Sequence, residues 1–136
     1  MASILARLRN VAKEGGHSFN DVLQSYVIER FLARLTQSPE ADTVLLKGAL
    51  MLRVWGVPRA RPTMDIDVLR RGAADRDALA AIVRKCASMI DESDGVTFDA
   101  DDMSIDTLHE AGGYIGTRIR VPARLENVRQ VVQIDF

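Results

Sequence analysis

The sequence predicts an α/β domain in which a small mixed sheet is flanked by helices, with two N-terminal helices packed on it. Three observations carry that reading. Apolar residues recur at helical spacing through the first 40 or so positions. The pattern then changes to short apolar runs and strict alternation, the period of strands. Helical spacing later returns between strand-like segments, the order of a mixed sheet with helical connections. At 136 residues the chain is long enough for one hydrophobic core and too short for two. It is read as one domain, 1–136, with a helical part over 1–40 and a sheet-containing part over 41–136.

Ser3 is placed to cap a first helix, in which Ile4, Leu5, Leu8, Val11 and Ala12 share a face until Gly15-Gly16 ends it. Ser18 caps a second, whose stripe includes Phe19, Val22, Leu23, Tyr26, Phe31, Leu32 and Leu35, closed by Ser38-Pro39. Thr43 to Leu46 reads as a buried strand, Ala49 to Trp55 as a short helix, and Gly56 to Pro62 as a loop. From Met64 to Leu69 the residues alternate, with Met64, Ile66 and Val68 on one face and Asp65 and Asp67 on the other. A helix over Ala73 to Asp91 turns Leu79, Ile82, Val83, Cys86 and Ile90 to the core. Val96 to Phe98 is a strand, and the rest of the acidic segment around it reads as solvated and flexible. Gly112-Gly113 is a turn, Tyr114 to Val121 a strand stopped by Pro122, and Gln130 to Phe136 the last strand.

A hydrophobic fraction of 47% and a charged fraction of 27% belong to an ordinary soluble protein. The net charge of −1 gives no bulk attraction to nucleic acid or membrane. The charges are nevertheless segregated. Asp91 to Glu110 holds eight acidic residues and no Lys or Arg, whereas arginines gather at 53–71 and at 118–129. The one cysteine, Cys86, excludes an intramolecular disulfide and a Cys-based zinc site. No apolar run reaches the roughly 18 residues of a membrane span, and Arg7 and Arg9 interrupt the only early apolar stretch. A soluble intracellular protein is expected. His17 and His109 are not spaced as metal ligands or as a base beside a nucleophile.

Asp65-Ile66-Asp67 is the most informative short segment. Two residues apart on a strand, both carboxylates leave the same face about 7 Å apart at Cα. Hard oxygen ligands at that separation suit Mg²⁺, which typically takes one or two carboxylates together with substrate phosphates. Two ions about 3.5–4 Å apart would clamp both oxygens of a phosphoryl displacement. An ordinary strand with one wet face presents the same pattern. Asp135 adds weight: Ile134 and Phe136 face the core, so Asp135 emerges on the opposite face. If the last strand lies beside the Asp65–Asp67 strand, three carboxylates share one face, the third as general base or second-metal ligand. A chain-end aspartate facing solvent is the alternative. Upstream, Leu46-Lys47-Gly48-Ala49 runs from a strand through a glycine into a helix start. Such a turn aims backbone N–H groups and a helix dipole at a phosphate, though it also reads as an ordinary connection. Arg59, Arg61, Arg70 and Arg71 bracket the aspartate strand, and guanidinium forks match phosphates well.

Taken in order, Glu29 to Leu35, Val44 to Leu50, Arg61-Pro62-Thr63-Met64-Asp65-Ile66-Asp67, Tyr114 to Val121 and Val132 to Asp135 resemble the AbiEii/AbiGii toxin family of nucleotidyltransferases. The resemblance runs from about Ser18 to the end. It implies a polymerase-β-like nucleotidyltransferase core and Mg²⁺-dependent transfer of a nucleotide from an NTP. It also implies the toxin of a bacterial type IV toxin–antitoxin or abortive-infection system, cytoplasmic, with an antitoxin as partner and tRNA ends as acceptors. Carried over by position, Asp65 and Asp67 become metal ligands with Asp135 as the third carboxylate. Lys47, Gly48 and Ala49 form the triphosphate turn, and Arg61 and Thr63 shape the loop into the aspartate strand. Ala49 stands where the superfamily usually has Ser, Thr or Gly, which removes a side-chain hydrogen bond to phosphate. The family pattern also continues past the third-aspartate strand into a helical half bearing a catalytic lysine, and the sequence ends at Phe136 without it. Two readings therefore stand: a nucleotidyltransferase, or a catalytically silent module that binds nucleotide or antitoxin.

Overall fold

A computed structural model of the chain describes residues 3–46, 65–109, 113 and 115–136. Helix α1 spans Ile4–Gly15 and α2 spans Phe19–Thr36. Both start as their sequences require: Ser3 Oγ accepts from Ala6 N at 3.1 Å, and Ser18 Oγ from Asp21 N at 3.0 Å. Gly16 ends α1 at φ 68°, a left-handed cap that glycine takes without a Cβ penalty. Helix α3 covers Arg76–Ala87. It is shorter at both ends than the periodicity predicts. Asp75 caps it by accepting from Ala78 N, and Asp91 instead accepts from Ser93 N at 3.0 Å in a local turn. Ile90, expected in the core, is consequently 85% exposed.

The described residues form six strands: β1 Val44–Leu46, β2 Asp65–Arg70, β3 Val96–Phe98, β4 Ser104–His109, β5 Ile115–Leu125 and β6 Val128–Asp135. They form a mixed sheet in the order β1-β2-β6-β5-β3, with β4 also paired to β5. Every pairing is antiparallel except β2 with β6. Strands β5 and β6 join through a two-residue loop in which Glu126 takes φ 54°, so β6 starts earlier than expected.

Pro122 does not stop β5. Its carbonyl accepts from Asp99 N at 2.8 Å, so its ring nitrogen faces that same side of the strand. There β4 ends at Arg120 and β3 begins at Ala123, and no ladder bond needs a donor between them. The acidic segment is likewise more ordered than its charge predicts, since it supplies both β3 and β4 and buries Asp94.

The sheet has one dry face. Ile66 and Val68, Ile119, Val121 and Leu125, and Val132 and Ile134 point to it and are buried. Helix α2 packs on β6 and α3 on β5, and α1 packs on α2. Leu23, Val27, Ile28 and Phe31 make α2 a central part of the core rather than a flank. No helix among the described residues is long and apolar enough to cross a membrane.

Candidate active site

The dry face obliges alternate residues to line the opposite one, and register decides which of them meet. Cα partners across the sheet give two parallel rows. The first runs Asp67 on β2, Asp135 on β6, Arg118 on β5 and Asp106 on β4. The second runs Asp65, Gln133, Arg120 and Ser104 on the same strands. Because β2 and β6 are parallel neighbours, Asp135 lies directly across from Asp67, about 4.8 Å away at the strand spacing. The three predicted carboxylates therefore share one half-buried patch.

Electrostatics within the patch are uneven. Partial burial pushes the Asp65 carboxyl up from its usual range, and the charges of Asp135 and then Asp67 add to that, against the opposing pull of Arg118. Arg118 forks Asp135, with Nε donating to Oδ1 at 2.8 Å and Nη2 to Oδ2 at 3.0 Å. That hydrogen bonding raises the guanidinium pKa further. Arg120 Nε donates to Gln133 Oε1 at 3.0 Å and its Nη1 to Asp106 Oδ2 at 3.2 Å. Arg118, Arg120, Gln133 and Asp106 were not singled out from sequence as site residues. Arg118 and Arg120 do repeat on β5 the two-apart spacing of Asp65 and Asp67, but only the register shows whom they face.

The donor chemistry suits a hard cation. Mg²⁺ commonly takes one or two carboxylates and completes its shell with phosphates and water, and Asp65 and Asp67 supply that number. Asp135 does not join them as it stands, since both its oxygens are held by Arg118. Among the described residues no three acidic, histidine or cysteine side chains gather closely enough to hold a metal ion.

Strand β1 runs antiparallel to β2 and stops at Leu46, whose Cα partner is Val68, one residue from Asp67. The phosphate-turn residues Lys47, Gly48 and Ala49, the loop residues Arg61 and Thr63, Arg59, and the expected helix Ala49 to Trp55 lie outside the described residues. Arg70, counted among the phosphate-facing arginines, has another task. It shares the side of β2 that carries Ile66 and Val68, and bonds Glu40 Oε2 at 2.9 Å and the Thr43 hydroxyl. The Arg70 bond, and a second from the Thr43 hydroxyl to the same oxygen at 3.2 Å, hold the Glu40 carboxyl below its usual range.

The family model described as nucleotidyl transferase AbiEii toxin, Type IV TA system, matches residues 30–136. The chain belongs to this family. The AbiEii match takes in β2, β4, β5 and β6, and with them every residue of both polar rows. It also starts inside α2, so the C-terminal end of the helix that covers β6, Arg30 to Thr36, lies within the AbiEii match. Comparison with curated proteins finds no match, and neither does comparison with solved structures.

Proposed function

We propose that this AbiEii-family chain is a nucleotidyltransferase toxin with a polymerase-β-like core, working on the open face of its sheet. Asp65 and Asp67 hold Mg²⁺ together with the phosphates of an NTP. The cation, when bound, neutralises charge on the phosphates and polarises the phosphorus under attack. The turn Lys47-Gly48-Ala49, following the end of β1 beside β2, offers backbone N–H groups to the triphosphate, and Arg61 and Thr63 shape the loop entering β2. An acceptor hydroxyl forms a bond to the α-phosphorus, the bond to the β-phosphate oxygen breaks, and pyrophosphate leaves. The hydroxyl proton passes to a base, for which Asp135 beside Asp67 is the nearest carboxylate on the face. The acceptor is an RNA end, tRNA above all, and the partner that restrains the toxin in the bacterial cytoplasm is its antitoxin.

The observation that carries this reading is the parallel pairing of β2 with β6, which sets Asp67 against Asp135 with Asp65 one turn of the pleat away. Incubation with α-labelled NTPs, Mg²⁺ and total tRNA tests it. Label should enter RNA and be lost in Asp65→Ala. Absence of transfer, or transfer that survives Asp65→Ala, contradicts it.

The Arg118–Asp135 fork favours a second reading, a silent module that binds Mg²⁺–NTP or an antitoxin without turnover. Nucleotide binding that depends on Mg²⁺, with no label transferred, selects that one.

A further inference from the structure

Among the described residues the wet face carries two carboxylates without an ion-pair partner beside a paired one, and the pairing cation belongs to the protein. Asp135 sits between Asp67 on β2 and Arg118 on β5, a Cα partner of each. Among the described residues only the Arg118 side chain bonds its carboxylate. One guanidinium takes both oxygens side-on, through Nε and Nη2, at 2.8 and 3.0 Å. A fork of that kind takes one lone pair on each oxygen and sets a positive charge against the carboxylate, where it opposes a second cation. The two side chains retain 29% and 17% of their exposure, so water can replace either partner if the pair opens. On the described residues Arg118 makes no bond besides these two, and its Nη1 is uncommitted. Among the described residues no other side chain bonds it, and the neighbouring Asp106 is already bonded by Arg120.

We propose that Arg118 is the resident counter-cation of Asp135 and competes with a divalent ion for it. Asp135 becomes a metal ligand only when another anion draws the guanidinium away. A phosphate group is the fitting anion, because it accepts the same two-pronged fork. Metal loading of the third carboxylate is thereby tied to arrival of a phosphorylated substrate. A cation arriving alone meets Asp65 and Asp67 only. This rests on the reading that those two aspartates hold the dication. The opposite role is a real alternative: an arginine that merely orients Asp135 toward the metal would strengthen metal binding. The two roles differ in sign.

Calorimetric titration of the full chain with Mn²⁺, without nucleotide, separates them. Arg118→Gln frees Asp135, and its affinity for Mn²⁺ should rise roughly tenfold over wild type, the scale of a charge-assisted pair that is partly solvated. A non-hydrolysable NTP analogue should tighten Mn²⁺ binding in wild type and have much less effect in Arg118→Gln. Arg118→Lys, which keeps the charge but loses the fork, should fall between them and serves as the second variant if the glutamine form does not fold. Unchanged or weaker Mn²⁺ binding in Arg118→Gln, with binding lost in Asp65→Ala, overturns the inference and leaves the proposed site standing. No Mn²⁺ binding by any of these proteins, with or without the analogue, overturns both.

Discussion

Two arginine–aspartate forks occupy opposite sides of this sheet, and they are built from the same groups to different ends. On the helical side, Arg34 of α2 meets Asp94, which precedes β3, at 2.8 and 3.3 Å. Every arm of that guanidinium is used. Nε donates to Met89 O at 3.1 Å, Nη1 also to Arg30 O, and Nη2 also to Val96 O. Asp94 accepts Val96 N as well, and Phe98 stacks under the cation at 4.8 Å. The pair is 4% and 3% exposed. It ties the end of α2 to the turn after α3 and to the edge of the sheet. On the open side, among the described residues, the side chains of Arg118 and Asp135 make only their own two bonds, partly exposed to water and next to two more carboxylates. A saturated fork is a staple. An unsaturated one beside like charges is a place where ligands can intervene.

Breaking the staple should produce the largest stability loss. Arg34→Leu leaves the Asp94 charge buried and unpaired, and a loss of about 3–5 kcal/mol is expected in urea denaturation. A loss below about 1 kcal/mol would show that solvent reaches the pair after all. Next comes the turn beside it. Gly95 has φ 72°, and an added Cβ would lie 2.8 Å from Ile4 Cδ1 and 3.1 Å from Leu125 Cδ1. Gly95→Ala should cost about 1–3 kcal/mol, from backbone strain and crowding together, read in the same assay. The open-side fork should matter much less to folding. Arg118→Gln is expected to lose less than about 1 kcal/mol in EDTA, as partly solvated pairs do.

The smallest effect has the opposite sign. Asp65 is held in a position that raises its pKa, so the folded state binds its proton more tightly than the unfolded chain does. Its ionised form therefore costs stability above the folded pKa, and that cost fades as pH falls through it. Asp65→Asn should stabilise the metal-free protein at pH 7 by something on the order of 0.5 kcal/mol, kept small by solvent screening. The gap in Tm between Asp65→Asn and wild type should narrow toward about pH 4. A constant gap would mean that the carboxylate patch is not under electrostatic strain.

Local chemistry made much of this molecule legible in the sequence. Ser3, Ser18 and Gly16 mark helix ends through bonds made within three or four residues. The alternation at Asp65-Ile66-Asp67 assigned faces correctly because pleating is itself local. Asp135 was legible as to face, by the same parity, but not as to neighbour. Its meeting with Asp67 depends on β2 and β6 pairing in parallel across some 70 residues of sequence, which no local pattern encodes. The Arg34–Asp94 staple was hidden for the same reason, 60 residues apart. A run of acidic residues reads as wet, and one member of it is the most deeply buried carboxylate described. Pro122 misled because its missing donor matters only on the side where a neighbouring strand asks for it.

The claim that most needs testing is that the open-face carboxylates form a metal–nucleotide site. Calorimetric titration with NTPs, with and without Mg²⁺, tests it directly, using wild type, the double variant Asp65→Ala/Asp67→Ala, and Asp106→Ala as a control on the same face. The expected result is Mg²⁺-dependent binding that the double variant loses and Asp106→Ala keeps. Binding that persists in the double variant, or no binding by the wild type, would contradict it.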